Sequence, residues 1–228
     1  MTIDIEIAKI ASLIGDKTRA AMLMALMEGK ALTAGEIALR ANISPQTASN
    51  HLKKLTEAKL IEQIPTPTRY RYYKITSPLV AKALESLSLL TPTSAVRPPR
   101  HEKLDKDICF ARTCYDHLAG ELGVKLAKGL LKKNYLRLNN EEFTLTDRGK
   151  LFFQELRIDG DELMKVRRQF AKPCLDWTER EYHLAGSLGK AILDYFIQHR
   201  LLIRSTKKAR VVILTSKGKQ WLQEKLNI

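Results

Sequence analysis

Thr33-Ala-Gly-Glu-Ile-Ala-Leu-Arg-Ala-Asn-Ile-Ser-Pro-Gln-Thr-Ala-Ser-Asn-His-Leu-Lys-Lys-Leu55 holds two helix starts within a dozen residues. Thr33 and Glu36 have capping-box spacing, in which each side chain satisfies the other's free backbone N–H. Ser44-Pro45 is a second start, with serine as N-cap and proline at the first helical position, where its missing N–H costs nothing. Ala48, Leu52 and Leu55 recur at helical spacing and predict a buried face. Two short helices around the turn Asn42-Ile-Ser44 make a helix-turn-helix. The outer face of the second helix is polar: Gln46, Thr47, Ser49, Asn50, Lys53 and Lys54. Gln and Asn pair with adenine edges, and Ser or Thr, Ser44 included, reach bases or phosphates. The two lysines lie further along, where phosphate contact is the expected role. His51 adjoins Leu52 and is expected to touch phosphate or to pack, not to bind a metal.

Upstream, Ile3, Ile7, Ile10, Ala11 and Ile14 trace a helix that stops at Gly15. Asp16 caps a second helix, with Ala20, Leu23, Met24 and Met27 on one face and Gly29 as its stop. Downstream of Leu60 the apolar period falls to two. Ile61–Ile64 and Tyr70–Ile75 read as strands around Pro65-Thr-Pro-Thr-Arg69. That hairpin is a wing, and Thr68, Arg69 and Arg71 on it are candidate DNA contacts. An arginine at a hairpin tip has the length to enter a minor groove. Ser77-Pro78 starts a last helix, with Leu79, Ala83, Leu84, Leu87 and Leu90 as its apolar positions.

These residues carry a family resemblance. Gly15-Asp-Lys-Thr-Arg19, Glu36-Ile-Ala, Ile43 through Leu55, Ala58-Lys-Leu-Ile61 and Arg69-Tyr-Arg-Tyr-Tyr73 resemble the ArsR-type winged-helix repressors, Ser49-Asn-His-Leu52 most specifically. The resemblance spans about residues 3–90. It implies a homodimer joined through the first and last helices of this half, bound to an inverted-repeat operator in double-stranded DNA. Metal-sensing members carry cysteines on the third helix or Asp/His ligands on the last. Here Thr33–Asn42 holds neither Cys nor His, and Ser77–Leu90 neither Asp nor His, so those metal sites are missing.

Composition agrees with a DNA-binding partner. The 228 residues carry 39 Lys and Arg against 25 Asp and Glu, a net charge of +14, and the excess is spread over both halves rather than held in a tail. Three cysteines are too few for a disulfide scaffold. No apolar run has membrane-spanning length, and the start, MTIDIEIAK, does not resemble a signal peptide. A cytoplasmic protein with no membrane partner and no cofactor is expected. The expected architecture is mainly α with small β-hairpin wings: a winged helix-turn-helix at 1–90, a Pro-rich linker at 91–103, and a C-terminal pair of winged-helix-like repeats at 104–228.

The C-terminal half is internally duplicated. His117-Leu-Ala-Gly-Glu-Leu-Gly123 matches His183-Leu-Ala-Gly-Ser-Leu-Gly189, and Phe143-Thr-Leu-Thr-Asp-Arg-Gly149 matches Val212-Ile-Leu-Thr-Ser-Lys-Gly218. Each copy reads as a long helix carrying the histidine and glycines, a strand pair, and a helix opened by Thr146 or Thr215. The histidines are expected near a pseudo-twofold axis, buried and hydrogen-bonded. Around them lie Cys114, Cys174 and Trp177, and Phe110–His117 and Cys174–His183 resemble the C-terminal extension of a subgroup of the same repressors. Cys114, His117, Cys174, Trp177 and His183 are the candidate effector or redox residues. Three readings stay open: a plain core, a dithiol that oxidant or reactive sulfur would bridge, and a small-molecule pocket lined by Trp177 and Tyr115. Cys109 reads as a bystander. No Cys-x-x-Cys or His-x-x-x-His pair occurs, so no zinc site is expected. A Cys/His enzyme is the least favoured reading, because Asp116 and His117, as neighbours on a helix, would diverge. An RNA-directed winged helix is the other alternative.

Overall fold

Capping chemistry sets the helices of the N-terminal part. The computed structural model describes residues 3–27, 29–65, 71–91, 106–139 and 142–228. They fall into two units, one built on the chain up to Leu87, the other on Lys103–Thr206 and Arg210–Ile228.

In the first unit, helix α1 (Ile3–Ile14) leads through Gly15 into α2 (Lys17–Leu26), whose N-cap Asp16 accepts the Arg19 N–H. Arg19 turns back onto the end of α1, donating from Nε to the Leu13 carbonyl at 2.6 Å and from Nη2 to the Ser12 carbonyl at 2.9 Å. Strand β1 (Leu32–Thr33) precedes α3 (Ala34–Arg40), and the Thr33/Glu36 capping box forms in full. Asn42 takes a left-handed φ of 52° in the turn. Helix α4 (Pro45–Glu57) starts at its Ser44 cap and buries Ala48, Leu52 and Leu55. Strands β2 (Ile61–Ile64) and β3 (Tyr72–Ile75) pair antiparallel, with Ile61 opposite Ile75. Helix α5 (Pro78–Leu89) closes the unit.

One element was not legible beforehand. Residues Leu32 and Thr33 pair with Tyr73 and Tyr72, so β1 extends the wing into a three-stranded sheet of order β1-β3-β2. A two-residue strand has no periodicity of its own, and only its partner makes it one. The core gathers Met22, Leu23, Leu26, Ile37, Leu52 and Leu55. Each such buried side chain contributes about 1.5–3 kcal/mol of transfer free energy.

The second unit is two copies of one seven-element pattern. The first copy runs α6 (Lys106–Phe110), β4 (Arg112–Cys114), β5 (His117–Ala119), α7 (Glu121–Lys132), β6 (Leu136–Asn139), β7 (Glu142–Leu145) and α8 (Asp147–Glu155). The second runs α9 (Gly160–Lys165), β8 (Lys172–Leu175), β9 (Tyr182–Ala185), α10 (Gly186–Gln198), β10 (Leu202–Arg204), β11 (Val212–Leu214) and α11 (Ser216–Leu226). Thr146 and Thr215 cap α8 and α11 as their positions predict. Leu122, Leu126, Phe153, Leu188, Leu193 and Phe196 come from both copies and share one core.

The structure corrects the placement of the histidine motifs. His117 and His183 are not on the long helices; they lie on β5 and β9, each strand half of a short hairpin that precedes the helix. The motif His-Leu-Ala-Gly is a strand followed by a helix start. Gly120 and Gly186 make the join at φ of 80° and 84°, where a Cβ would come within 2.5 Å of the Cys109 and Phe170 carbonyl oxygens respectively. Only glycine accommodates that backbone and that approach. The periodic Leu and Gly residues after it are helical, which is what made the whole motif look helical.

Candidate nucleic-acid interface and Cys/His cluster

The polar face of α4 begins at a cap. Ser44 Oγ accepts the Thr47 N–H at 3.1 Å and lies 2.8 Å from the Thr47 hydroxyl. Ser44 and half-buried Thr47 thus fix the helix start. Gln46, Ser49, Asn50, Lys53 and Lys54 are exposed. Ser49, Asn50 and Lys53 line one groove with Gln63 on β2 and Arg71 just before β3. Glu57 lines the same groove, 4.0 Å from Lys53, and the exposed amide, hydroxyl and cations beside it are groups that suit base edges and phosphates. His51 is half-buried, its Nδ1 3.5 Å from Arg19 Nη1. This links the start of α2 to α4, a contact that the motif containing Arg19 did not reveal. Thr68 and Arg69 lie outside the described residues.

Helix α3 contains no Cys or His and α5 no Asp or His, whereas the second unit brings two cysteines and two histidines together. Cys114 stands opposite His117 in the β4-β5 ladder, and Cys174 opposite His183 in β8-β9. Residues directly opposite on antiparallel strands share a face, so each hairpin presents one sulfur and one imidazole together. The two hairpins meet. His117 and His183 face each other with their Nε2 atoms 3.1 Å apart, and one ligand atom from each of Cys114, His117, Cys174 and His183 lies within 4.8 Å of the others. Both histidines and Cys114 are buried, and Cys174 is half-buried. Gly123 and Gly189 face the opposite copy's histidine, but what requires glycine is their own strand: a Cβ would stand 2.6 Å and 2.4 Å from the Leu118 and Leu184 carbonyl oxygens.

A carboxylate stands behind each imidazole. His117 Nδ1 is 3.5 Å from Asp116 Oδ1, and His183 Nδ1 is 3.4 Å from Asp176 Oδ2. Asp116 is held by Arg168, whose Nη2 donates to it at 2.9 Å and whose hydrogen bonds keep the acid below its ordinary range. Asp176 is fully buried. Burial alone would raise its pKa. Arg112 at 2.8 Å, the Thr178 hydroxyl and the Gly120 N–H at 2.7 Å outweigh that and hold it well below the usual carboxylate range. Arg112 and Gly120 belong to the first copy and Asp176 to the second, so this buried pair also ties the copies together.

Trp177 is buried, with the Arg112 guanidinium 5.1 Å from its ring centre. Tyr115 is 58% exposed at the β4-β5 turn. Arg112 engages Asp176, which offsets its charge. Asp116 and His117 sit at a hairpin turn and do approach, and both imidazoles are buried. Sequence spacing missed the cluster because its pairs close across hairpins rather than along one segment. Cys114-x-x-His117 was the available signal.

A helix-turn-helix domain model matches residues 14–64, the stretch from α1 to the end of β2. Over 222 residues the chain is 42% identical to an uncharacterized HTH-type transcriptional regulator, YdfF, of Bacillus subtilis (strain 168), covering 97% of both chains. The chain belongs to the HTH-type transcriptional regulators, and its recognition residues resemble the ArsR type. Solved structures similar to this regulator include the transcriptional repressor BigR from Xylella fastidiosa, at 22% identity and a TM-score of 0.35, covering 39% of this chain and 88% of that one. NolR from Sinorhizobium fredii is similar at 26% identity and a TM-score of 0.34, covering 36% and 81%. The homodimeric winged helix-turn-helix DNA-binding domain of Mb0332 from Mycobacterium bovis is similar at 21% identity and 0.36, covering 43% and 88%.

Proposed function

We propose that this regulator is a homodimeric repressor that reads a double-stranded operator through α4. The observation that carries this is the groove shared by Ser49, Asn50, Lys53 and Arg71 beside an α4 start capped by Ser44. Gln46, Ser49 and Asn50 are the base-reading candidates. Lys53, Lys54 and Arg71 contact phosphate, and Thr68 and Arg69 extend the contact from the wing. His51, braced by Arg19, supports the helix. Dimerisation uses α1 and α5, where Ile3, Ile7, Leu79 and Leu87 are 78%, 62%, 70% and 44% exposed. Apolar side chains left in water on the two helices that the family resemblance assigns to the interface support that reading. The division into a DNA-binding part at 1–90, a linker at 91–103 and an effector-receiving part at 104–228 belongs to this proposal, as does a cytoplasmic location.

A signal received by the C-terminal half releases the operator by favouring a dimer geometry whose half-site spacing no longer fits. A gel shift on the chain's own upstream DNA, with and without competitor RNA and oxidant, tests the proposal. Retarded DNA that resists RNA and is freed by salt supports it. Competition by RNA, or no shift in dilute buffer, overturns the DNA reading. Release by oxidant that persists in Cys174→Ser excludes a Cys114–Cys174 dithiol switch.

A further inference from the structure

We propose that Cys114, His117, Cys174 and His183 form a tetrahedral Zn2+ site that joins the two C-terminal copies. The proposal stands independently of the DNA reading. Zinc–sulfur bonds of about 2.3 Å and zinc–nitrogen bonds of about 2.0–2.1 Å put two imidazole nitrogens about 3.3 Å apart and two sulfurs about 3.8 Å apart on a tetrahedron. The Nε2 atoms stand 3.1 Å apart, and the four-residue set closes within 4.8 Å. Little movement is needed to seat one ion among them.

The two orphaned Nδ1 atoms are the second, independent observation. Both Nδ1 atoms are buried without a hydrogen-bond partner, although each faces a carboxylate at 3.4–3.5 Å. A proton on Nδ1 is what a carboxylate neighbour favours, and it leaves Nε2 as a lone pair, the arrangement seen behind metal-bound imidazoles. Two such Nε2 lone pairs pointed at each other repel. With both rings neutral, placing a proton between them would instead turn one bare Nδ1 toward an anionic carboxylate in a buried site. A cation bound by both Nε2 atoms removes the conflict, because both Nδ1 protons then face Asp116 and Asp176.

Charge balance and ligand type narrow the ion. Two thiolates and two neutral imidazoles around a divalent ion sum to zero, which a buried site tolerates. Asp116 and Asp176 are already offset by Arg168 and Arg112. A Cys2His2 set with no open position is the donor set of structural zinc. Binding displaces the two thiol protons to solvent, with no change in oxidation state. The half-buried edge at Cys174 is where the ion enters.

The full-length chain tests this. Elemental analysis of the purified protein should find one Zn2+ per chain. Chelation followed by Co2+ titration should give the intense visible bands of a tetrahedral ion and thiolate-to-cobalt charge transfer, saturating at one equivalent. Cys114→Ser and Cys174→Ser should each abolish the charge-transfer intensity or halve it, while Cys109→Ser leaves it unchanged. Because a ligand variant could unfold the unit, thiol reactivity of the wild-type chain gives a second measure: two thiols should be protected by Zn2+ and become reactive after chelation. A chain that holds no Zn2+ and gives no thiolate–cobalt band on titration overturns the proposal. So does a band that survives both serine variants, or a Cys114–Cys174 disulfide found by mass in place of the metal.

Discussion

Asn50 and Asp176 carry opposite kinds of consequence. Asn50 is exposed on α4 and contributes nothing to the core. Asn50→Ala should leave stability unchanged and lower operator affinity by about 1–3 kcal/mol while relaxing base preference, which competition gel shifts with altered half-sites would detect. An unaltered footprint would remove Asn50 from the readout. Asp176 is 1% exposed and accepts from Arg112, Gly120, Thr178 and Glu179. Asp176→Ala leaves the buried Arg112 guanidinium without its counter-ion. It should cost about 3–5 kcal/mol, read as a lower urea midpoint for the C-terminal unit. A loss below about 1 kcal/mol would mean that the site relaxes to admit water.

At the scale of the element, helices α3 and α4 are set by their first turns. Glu36 accepts the Thr33 N–H at 2.7 Å and its hydroxyl at 2.8 Å, and these bonds hold the acid below its ordinary range. A carboxylate whose folded pKa lies below its unfolded value stabilises the fold at neutral pH and loses that contribution as pH falls through the carboxylate range. Glu36→Gln, which resembles the protonated acid, should therefore lower the thermal midpoint at pH 7, and the difference from wild type should shrink on acidification. A difference independent of pH would place the effect elsewhere. Along α4, Lys53→Ala or Lys54→Ala should weaken binding to all sequences alike. Each should reduce the salt slope by about one, measurable by anisotropy across a salt series.

For the whole molecule, the exposed apolar residues of α1 and α5 predict a second copy. Leu79→Glu should shift sedimentation toward the monomer and weaken operator binding by about a hundredfold, since two linked half-site contacts gain that much from effective concentration. A variant that stays dimeric would exclude this face.

The local elements were legible in the residues themselves. Thr33/Glu36, Ser44-Pro45, Thr146 and Thr215 start helices through contacts three positions away, and such short-range chemistry acts wherever the segment lies. The apolar periods and the internal duplication were likewise readable. What could not be read was His117 as a strand residue, because its hairpin is short and the helical period that follows is stronger. The same holds for β1, whose two residues become a strand only against Tyr72 and Tyr73. The Cys/His cluster lies furthest from sequence reasoning. His117 and His183 are 66 positions apart, and no local rule brings them within contact. The shared core of the two copies does. Composition supplied the ligand types, and packing alone decided that they meet.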